Sequence, residues 1–189
     1  MSGRLFLPDN TVLVNFAQIG RMDLLRLVAE GRSTWCYTVS EECAKSSQVS
    51  GLEQLAEAPG IFGEPLKLET PVENSDTRVF QTRLKKAGDG PAANLGEAES
   101  LSIIMNRQLD ATFITDDNGA LGFAVDHGIS YMTTWDLLKL FVRIKRLDRD
   151  TAWQYVLTLE GHRRRYKELW DQVSFYAWLE TSGALQFAP

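Results

Sequence analysis

The chain has 189 residues, 44% of them hydrophobic and 24% charged, with a formal net charge of −5. That length suits one domain able to bury a proper core, and no apolar run reaches the roughly 18 to 20 residues of a membrane-spanning helix. Cys36 and Cys43 are the two cysteines, and without CxxC spacing they indicate neither a disulfide framework nor a zinc site. MSGRLFLPDN at the N-terminus lacks the long apolar segment of a signal peptide, so a cytoplasmic protein is expected.

RLFLP (4–8) reads as a short buried strand ending at Asp9. TVLVNFAQIGRMDLLRLVAEG then carries apolar residues at three- and four-residue spacing, which predicts two helices divided by Gly20 and closed by Gly31. TWCYTV (34–39) is β-branched and aromatic and predicts a second strand, with Ser40 capping the helix SEECAKS after it. APGIFGEP (58–65) reads as loop and LKLET (66–70) as a strand. SDTRVFQTRLKKAG reads as an amphipathic helix on a Ser cap, and GDGPAAN as another loop.

LGEAESLSIIMNRQ (95–108) predicts a strong helix, with Leu101, Ile104 and Met105 at core spacing. ATFIT (111–115) and ISYMTT (129–134) are the last two expected strands, with the helix DNGALGFAVDHG between them. TWDLLKLFVRIKRL reads as helix, and the aromatic-rich tail predicts two more helices between Asp150 and Leu179. Strands alternating with helices imply a three-layer α/β/α sandwich with a mainly parallel central sheet. A domain over 1–147 is expected to carry a helical extension, 148–189, packed on it.

The charge disfavours a general electrostatic grip on nucleic acid, but it is unevenly spread. RLKKAG (83–88) and the stretch from RIKRLDRD to HRRRYK (143–167) are basic, while acids gather elsewhere. In an open parallel sheet, ligands collect at the carboxyl ends of the strands. Asp9 stands where the first strand ends, and Asp116 and Asp117 where ATFIT ends. Glu97 and Glu99 open the helix before that strand, and its first turn lies at the same edge.

Carboxylates brought together repel one another and raise each other's pKa unless a cation sits between them. A hard-oxygen site of this kind suits Mg²⁺ or Mn²⁺, and such ions activate water against a phosphodiester. The plainer reading makes Asp9, Asp116 and Asp117 helix caps and gives Glu97 and Glu99 to the helix dipole. His127 and His162 fall outside the acid segments and read as helix-end or surface residues.

LFLPDNTVLVNFAQIGRMDLL, followed by LGEAESLSIIMNRQLDATFITDDNGALGFAVDHGISYMTT, resembles the PIN-domain nucleases in order and spacing. That family includes the VapC-like ribonuclease toxins of toxin–antitoxin pairs. The most specific piece is the GEAE helix followed by a strand and Thr-Asp-Asp, similar to a subgroup with a "GE-x-E … DD" pattern. The resemblance implies a Mg²⁺- or Mn²⁺-dependent endoribonuclease, with an RNA substrate, a small antitoxin protein and a second copy of the chain as candidate partners. Asp9, Glu99 and Asp117 would be catalytic metal ligands, Glu97 and Asp116 their companions, and Thr11 the small polar residue after Asp9. Asp116 is the one expected to cap or support, and Asp117 the stronger ligand.

One departure stands out. The family usually has a glutamate inside the helix after the second strand, where this sequence reads Lys45-Ser46-Ser47; Glu42, about a turn earlier, is the candidate replacement. An impaired PIN-like module that binds a protein or RNA is therefore the alternative function. A receiver-like phosphorylation site ranks below both, since it needs paired acids after the first strand and LFLPDN supplies only Asp9. In the extension, Trp153, Tyr155, Trp170, Tyr176 and Trp178 read as core. Arg163, Arg164, Arg165 and Tyr166 read as a solvated face, with RNA backbone contact as the alternative.

Overall fold

Leu5–Pro8 (β1), Ala111–Ile114 (β2) and Ser130–Met132 (β3) form a parallel sheet in the order β1-β2-β3. The structure is a computed structural model, and it describes residues 4–164 and 171–181. The register aligns Pro8 with Ile114 and Ile114 with Met132, so the three carboxyl ends finish side by side. The pairing runs one residue further. Asp9 N–H donates to Ile114 O at 2.8 Å, and Thr115 N–H donates to Met132 O at 3.0 Å.

Side chains alternate across this sheet and meet helices on both faces. Leu7 and Phe113 enter one buried apolar cluster, with Leu84, Leu101, Ile104 and Phe123. Ile114 and Met132 enter the other, larger one, with Val12, Phe16, Trp35 and Phe141. The chain is thus α/β with helices covering a small parallel sheet from both sides.

Ten α-helices are described. Asn10–Gln18 (α1) and Met22–Ala29 (α2) are divided at Gly20, as the periodicity predicts. Gly20 and Gly31 both take positive φ, +68° and +73°, a conformation in which a Cβ would be strained. Tyr37–Ser46 (α3) is followed by a short 3₁₀ helix, Glu53–Glu57, and by Ala58–Phe62 (α4). Pro71–Leu84 (α5) and Leu95–Asn106 (α6) come next, and Asn118–Asp126 (α7) links β2 to β3. Thr134–Arg143 (α8), Arg149–Gly161 (α9) and Gln172–Glu180 (α10) complete the set.

Several expected elements differ. Residues 34–39 and 66–70 form no strands: they meet only through the single parallel bridge Cys36–Leu66. Leu66 N–H donates to Trp35 O and Tyr37 N–H to Leu66 O, each at 2.8 Å, after which α3 begins. A β-prone composition becomes strand only where a partner backbone runs alongside, and here it does so for one residue. The helix therefore starts at Tyr37, three residues before the expected Ser40 cap. Likewise α5 starts at Pro71, not after Ser75: Thr70 and Glu73 form a reciprocal capping box, and proline tolerates the first turn because its missing N–H would be unpaired there. The expected loop 58–65 contains α4.

The C-terminal helices are part of the main core. Ala152, Val156, Leu159, Phe175 and Leu179 are buried in the larger cluster, with Trp153, Tyr155, Tyr176 and Trp178 packed against it. Lys139, buried in α8, fastens α10: its ammonium donates to Trp178 O at 2.8 Å and Thr181 Oγ1 at 2.7 Å. Trp170 lies outside the described residues. No helix among the described residues is long and apolar enough to cross a membrane.

Candidate functional site

The sheet's carboxyl edge gathers acids from four segments. Asp9, immediately after β1, is 1% exposed and N-caps α1, accepting from Val12 N–H at 3.1 Å. Its other oxygen accepts from the Thr115 hydroxyl one residue beyond β2. Thr11, in the first turn of α1, is half-buried.

The two adjacent aspartates divide their work. Asp117 caps α7, accepting from Ala120 N–H at 2.9 Å, and lies 3.6 Å from Lys86 Nζ. Asp116 is the support: it accepts from Asn15 Nδ2 at 2.8 Å, Thr134 N–H at 2.8 Å and Thr134 Oγ1 at 2.5 Å. Of the two, the cap is Asp117, and Asp116 ties α1 and α8 to the end of β2. The capping role foreseen for Asp116 passes to its neighbour because Asp117 is the residue directly before α7.

Glu97 and Glu99 lie in the first turns of α6. Glu99 is 4% exposed and accepts from Thr38 N–H at 3.2 Å and from the Thr38 hydroxyl, which joins α6 to the start of α3. Glu97 accepts no side-chain hydrogen bond from another described residue. Glu42 faces the same helix. A Cβ placed on Gly96 would lie 3.2 Å from Glu42 Oε2 and 2.9 Å from Val39 Cγ2. The glycine of the GEAE segment is what lets α3 come this close. Because α3 starts at Tyr37, Glu42 stands in mid-helix against α6, the position Lys45-Ser46-Ser47 appeared to leave without an acid.

Burial and mutual repulsion disturb these groups in one direction. Burial pushes Asp9 well above the usual carboxylate range, and Glu97 and Asp116 push it further. Glu97 is raised by burial and then by Asp117. Glu42 is pushed up to about 7 by burial and by Glu97 and Glu99, against the pull of Lys45. Burial raises Asp116 too, although its hydrogen bonds from Thr134 and Asn15 oppose the rise. Carboxylates that raise each other in this way gain from a cation placed among them.

The donor set is hard oxygen throughout, which suits Mg²⁺ or Mn²⁺. As placed, however, no three Asp, Glu, His or Cys side chains among the described residues form a metal-holding group. Asp9, Glu99, Asp116 and Asp117 each spend oxygens on protein donors, so Glu97 and Glu42 are the least committed carboxylates. Asn15, Thr38 and Thr134 carry no local signal in the sequence, whereas Thr115 directly precedes the Asp-Asp pair and Lys86 belongs to the basic run RLKKAG (83–88).

The remaining candidates lie elsewhere. His127 and His162 end α7 and α9, and His127 Nδ1 lies 2.8 Å from Phe123 O. Arg163 is exposed and Arg164 half-buried just past α9; Arg165 and Tyr166 lie outside the described residues. Cys36 and Cys43 are both buried free thiols. No protein-family model, curated protein or solved structure matches the chain.

Proposed function

We propose that the chain is a divalent-metal-dependent endoribonuclease of the PIN type, acting in the cytoplasm as the toxin of a toxin–antitoxin pair. The observation that supports this most is the convergence of buried acids from four segments at the sheet edge: Asp9, Glu42, Glu97 and Asp116 are each raised first by burial, and Glu97 raises both Asp9 and Glu42 further. A fold stabilised only by caps gains nothing from such repulsion. In this reading Asp9, Glu97, Glu99 and Asp117 hold Mg²⁺ or Mn²⁺, with Glu42 as the fifth acid. When bound, the ion supplies Lewis-acid stabilisation of the phosphodiester and lowers the pKa of water. Thr115 orients Asp9, Thr38 orients Glu99, and Asn15 and Thr134 fix Asp116. Lys86, 67% exposed beside Asp117, is placed to meet a phosphate.

A second reading has its own support. Four of the acids already satisfy protein donors and no preformed metal group is described, which favours a PIN-like module that binds a protein or RNA without cleaving it. Manganese calorimetry with Glu97→Gln alongside separates the two, because that carboxylate holds no other element in place. Saturable Mn²⁺ binding lost in the variant, together with metal-dependent cleavage of single-stranded RNA, supports the nuclease. Absence of Mn²⁺ binding by the unaltered chain refutes it and leaves the binding module.

A further inference from the structure

The basic run RIKRLDR takes no part in the acid edge, and the fold explains where it goes. Helices α1 and α8 both start at the carboxyl ends of strands, at Asp9 and Thr134, and run away from them. At 1.5 Å of rise per residue, their 9 and 10 residues carry the chain about 13 to 15 Å from the acids. Their far ends and the start of α9 enclose a shallow cleft of about 590 Å³ lined by Arg21, Lys145, Arg146, Leu147, Asp148 and Arg149.

The charges in this cleft are four cations and one acid, in a chain whose net charge is −5. The acid is spoken for: Asp148 caps α9, accepting from Thr151 N–H at 2.8 Å and Thr151 Oγ1 at 2.6 Å. Arg21 is a fixed wall, bound through two nitrogens to Asp23 and through a third to Tyr155 Oη at 3.0 Å. Lys145 and Arg146 are exposed and have no ion-pair partner among the described residues. Arg149 has only a long contact of 3.8 Å with exposed Asp150, and its guanidinium is steadied over the Tyr176 ring at 4.7 Å. Lys145 also holds a left-handed φ of 58°, a conformation that costs a non-glycine residue energy.

Cations crowded into one concave site repel one another, and an anion bearing several charges relieves them. The volume falls within the range of small-ligand sites. We infer that the cleft between the ends of α1 and α8 and the start of α9 is a second binding site, for a polyphosphate-type anion such as successive phosphates of a nucleotide or of an RNA backbone. It stands on its own observations, independent of whether the acid edge cleaves RNA.

The test is calorimetric titration of the full chain with inorganic tripolyphosphate in EDTA, which removes any contribution from metal at the acid edge. Saturable binding is expected, weakened at least tenfold in Lys145→Ala/Arg146→Ala and in Arg149→Ala, and unchanged in Glu97→Gln. A dinucleotide with a 5′-phosphate that displaces tripolyphosphate assigns the site to nucleic acid; failure to displace assigns it to free polyphosphate. Absence of saturable tripolyphosphate binding, or binding that the lysine and arginine replacements leave intact, overturns the inference. All three altered residues are exposed, and an unchanged melting temperature confirms that the variants are folded.

Discussion

Glu42 and Gly96 meet at the crossing of α3 and α6, where the carboxylate lies 3.2 Å from the point a Cβ on Gly96 would occupy. The same Cβ would stand 2.9 Å from Val39 Cγ2, and Val39 is fully buried and stiff at χ1. Gly96→Ala gains about 1 kcal/mol of helix propensity but must force the helices apart, at a cost of about 1 to 3 kcal/mol for overpacking. The expected outcome is a net loss of stability, read by denaturant unfolding. Adding Val39→Ala to Gly96→Ala should cost less than the two single changes summed.

Acid titration should reveal the raised carboxylates. Glu42 has a folded pKa of about 7, above the ordinary glutamate value near 4.3. The folded state therefore holds that proton more tightly than the unfolded state. Its stabilising effect is complete below the unfolded value and is lost as pH rises through about 7. Glu97, Glu99 and Lys45 face this group, and Glu97 and Asp9 are shifted in the same direction. The metal-free protein should thus melt higher at about pH 5.5 than at about pH 8. Glu42→Gln should flatten that difference, and an equal melting temperature at both pH values would contradict the burial described.

Glu73 behaves in the opposite sense. It is 2% exposed, receives Arg107 Nε at 2.7 Å and closes the capping box of α5. That partner holds its pKa down at about 2, so the stability it contributes is present above the ordinary value and lost as pH falls toward 2. Arg107→Ala strands this buried carboxylate and should cost about 3 kcal/mol. Manganese binding should be untouched, since the pair ties α5 to α6 away from the sheet edge. Chemical denaturation and calorimetry on the same variant check both statements.

Lys86 competes for Asp117. Their 3.6 Å contact involves a lysine 67% exposed, and such a pair contributes at most about 1 kcal/mol to stability. Lys86→Ala should leave the melting temperature nearly unchanged and tighten Mn²⁺ binding by removing a rival cation. If Lys86 also meets phosphate, RNA binding should weaken in the same variant, so metal and RNA affinities would move in opposite directions.

The parts legible in the sequence were those fixed by local pattern. RLFLP, ATFIT and SYM are β-prone runs that each find a parallel neighbour, and Gly20 and Gly31 punctuate the helices as their positive φ demands. TWCYTV carries equally strong β character yet stays single-bridged, because the chain that would pair with it touches only at Leu66. That misreading shifted α3 by three residues and hid the standing of Glu42, whose place is set by the approach of another helix at Gly96. Asp9 and the Asp116–Asp117 pair could be foreseen at the sheet edge from strand ends alone. Their hydrogen-bond partners could not: Asn15 reaches Asp116 and Thr115 reaches Asp9 across more than a hundred residues of sequence, and Thr134 reaches Asp116 from the far side of α7 and β3.

The bridge between Phe6 and Ser33 has a bearing on how the protein keeps to itself. β1 is an outer strand, and its free backbone would offer any passing extended chain a template for pairing. Phe6 N–H donates to Arg32 O at 2.8 Å and Thr34 N–H donates to Phe6 O at 3.0 Å, so the segment after α2 lies along that margin like a selvedge. A three-stranded sheet has few strands to spare. This short stitch closes one of its two borders to aggregation and leaves the carboxyl edge, where the acids gather, at right angles to it.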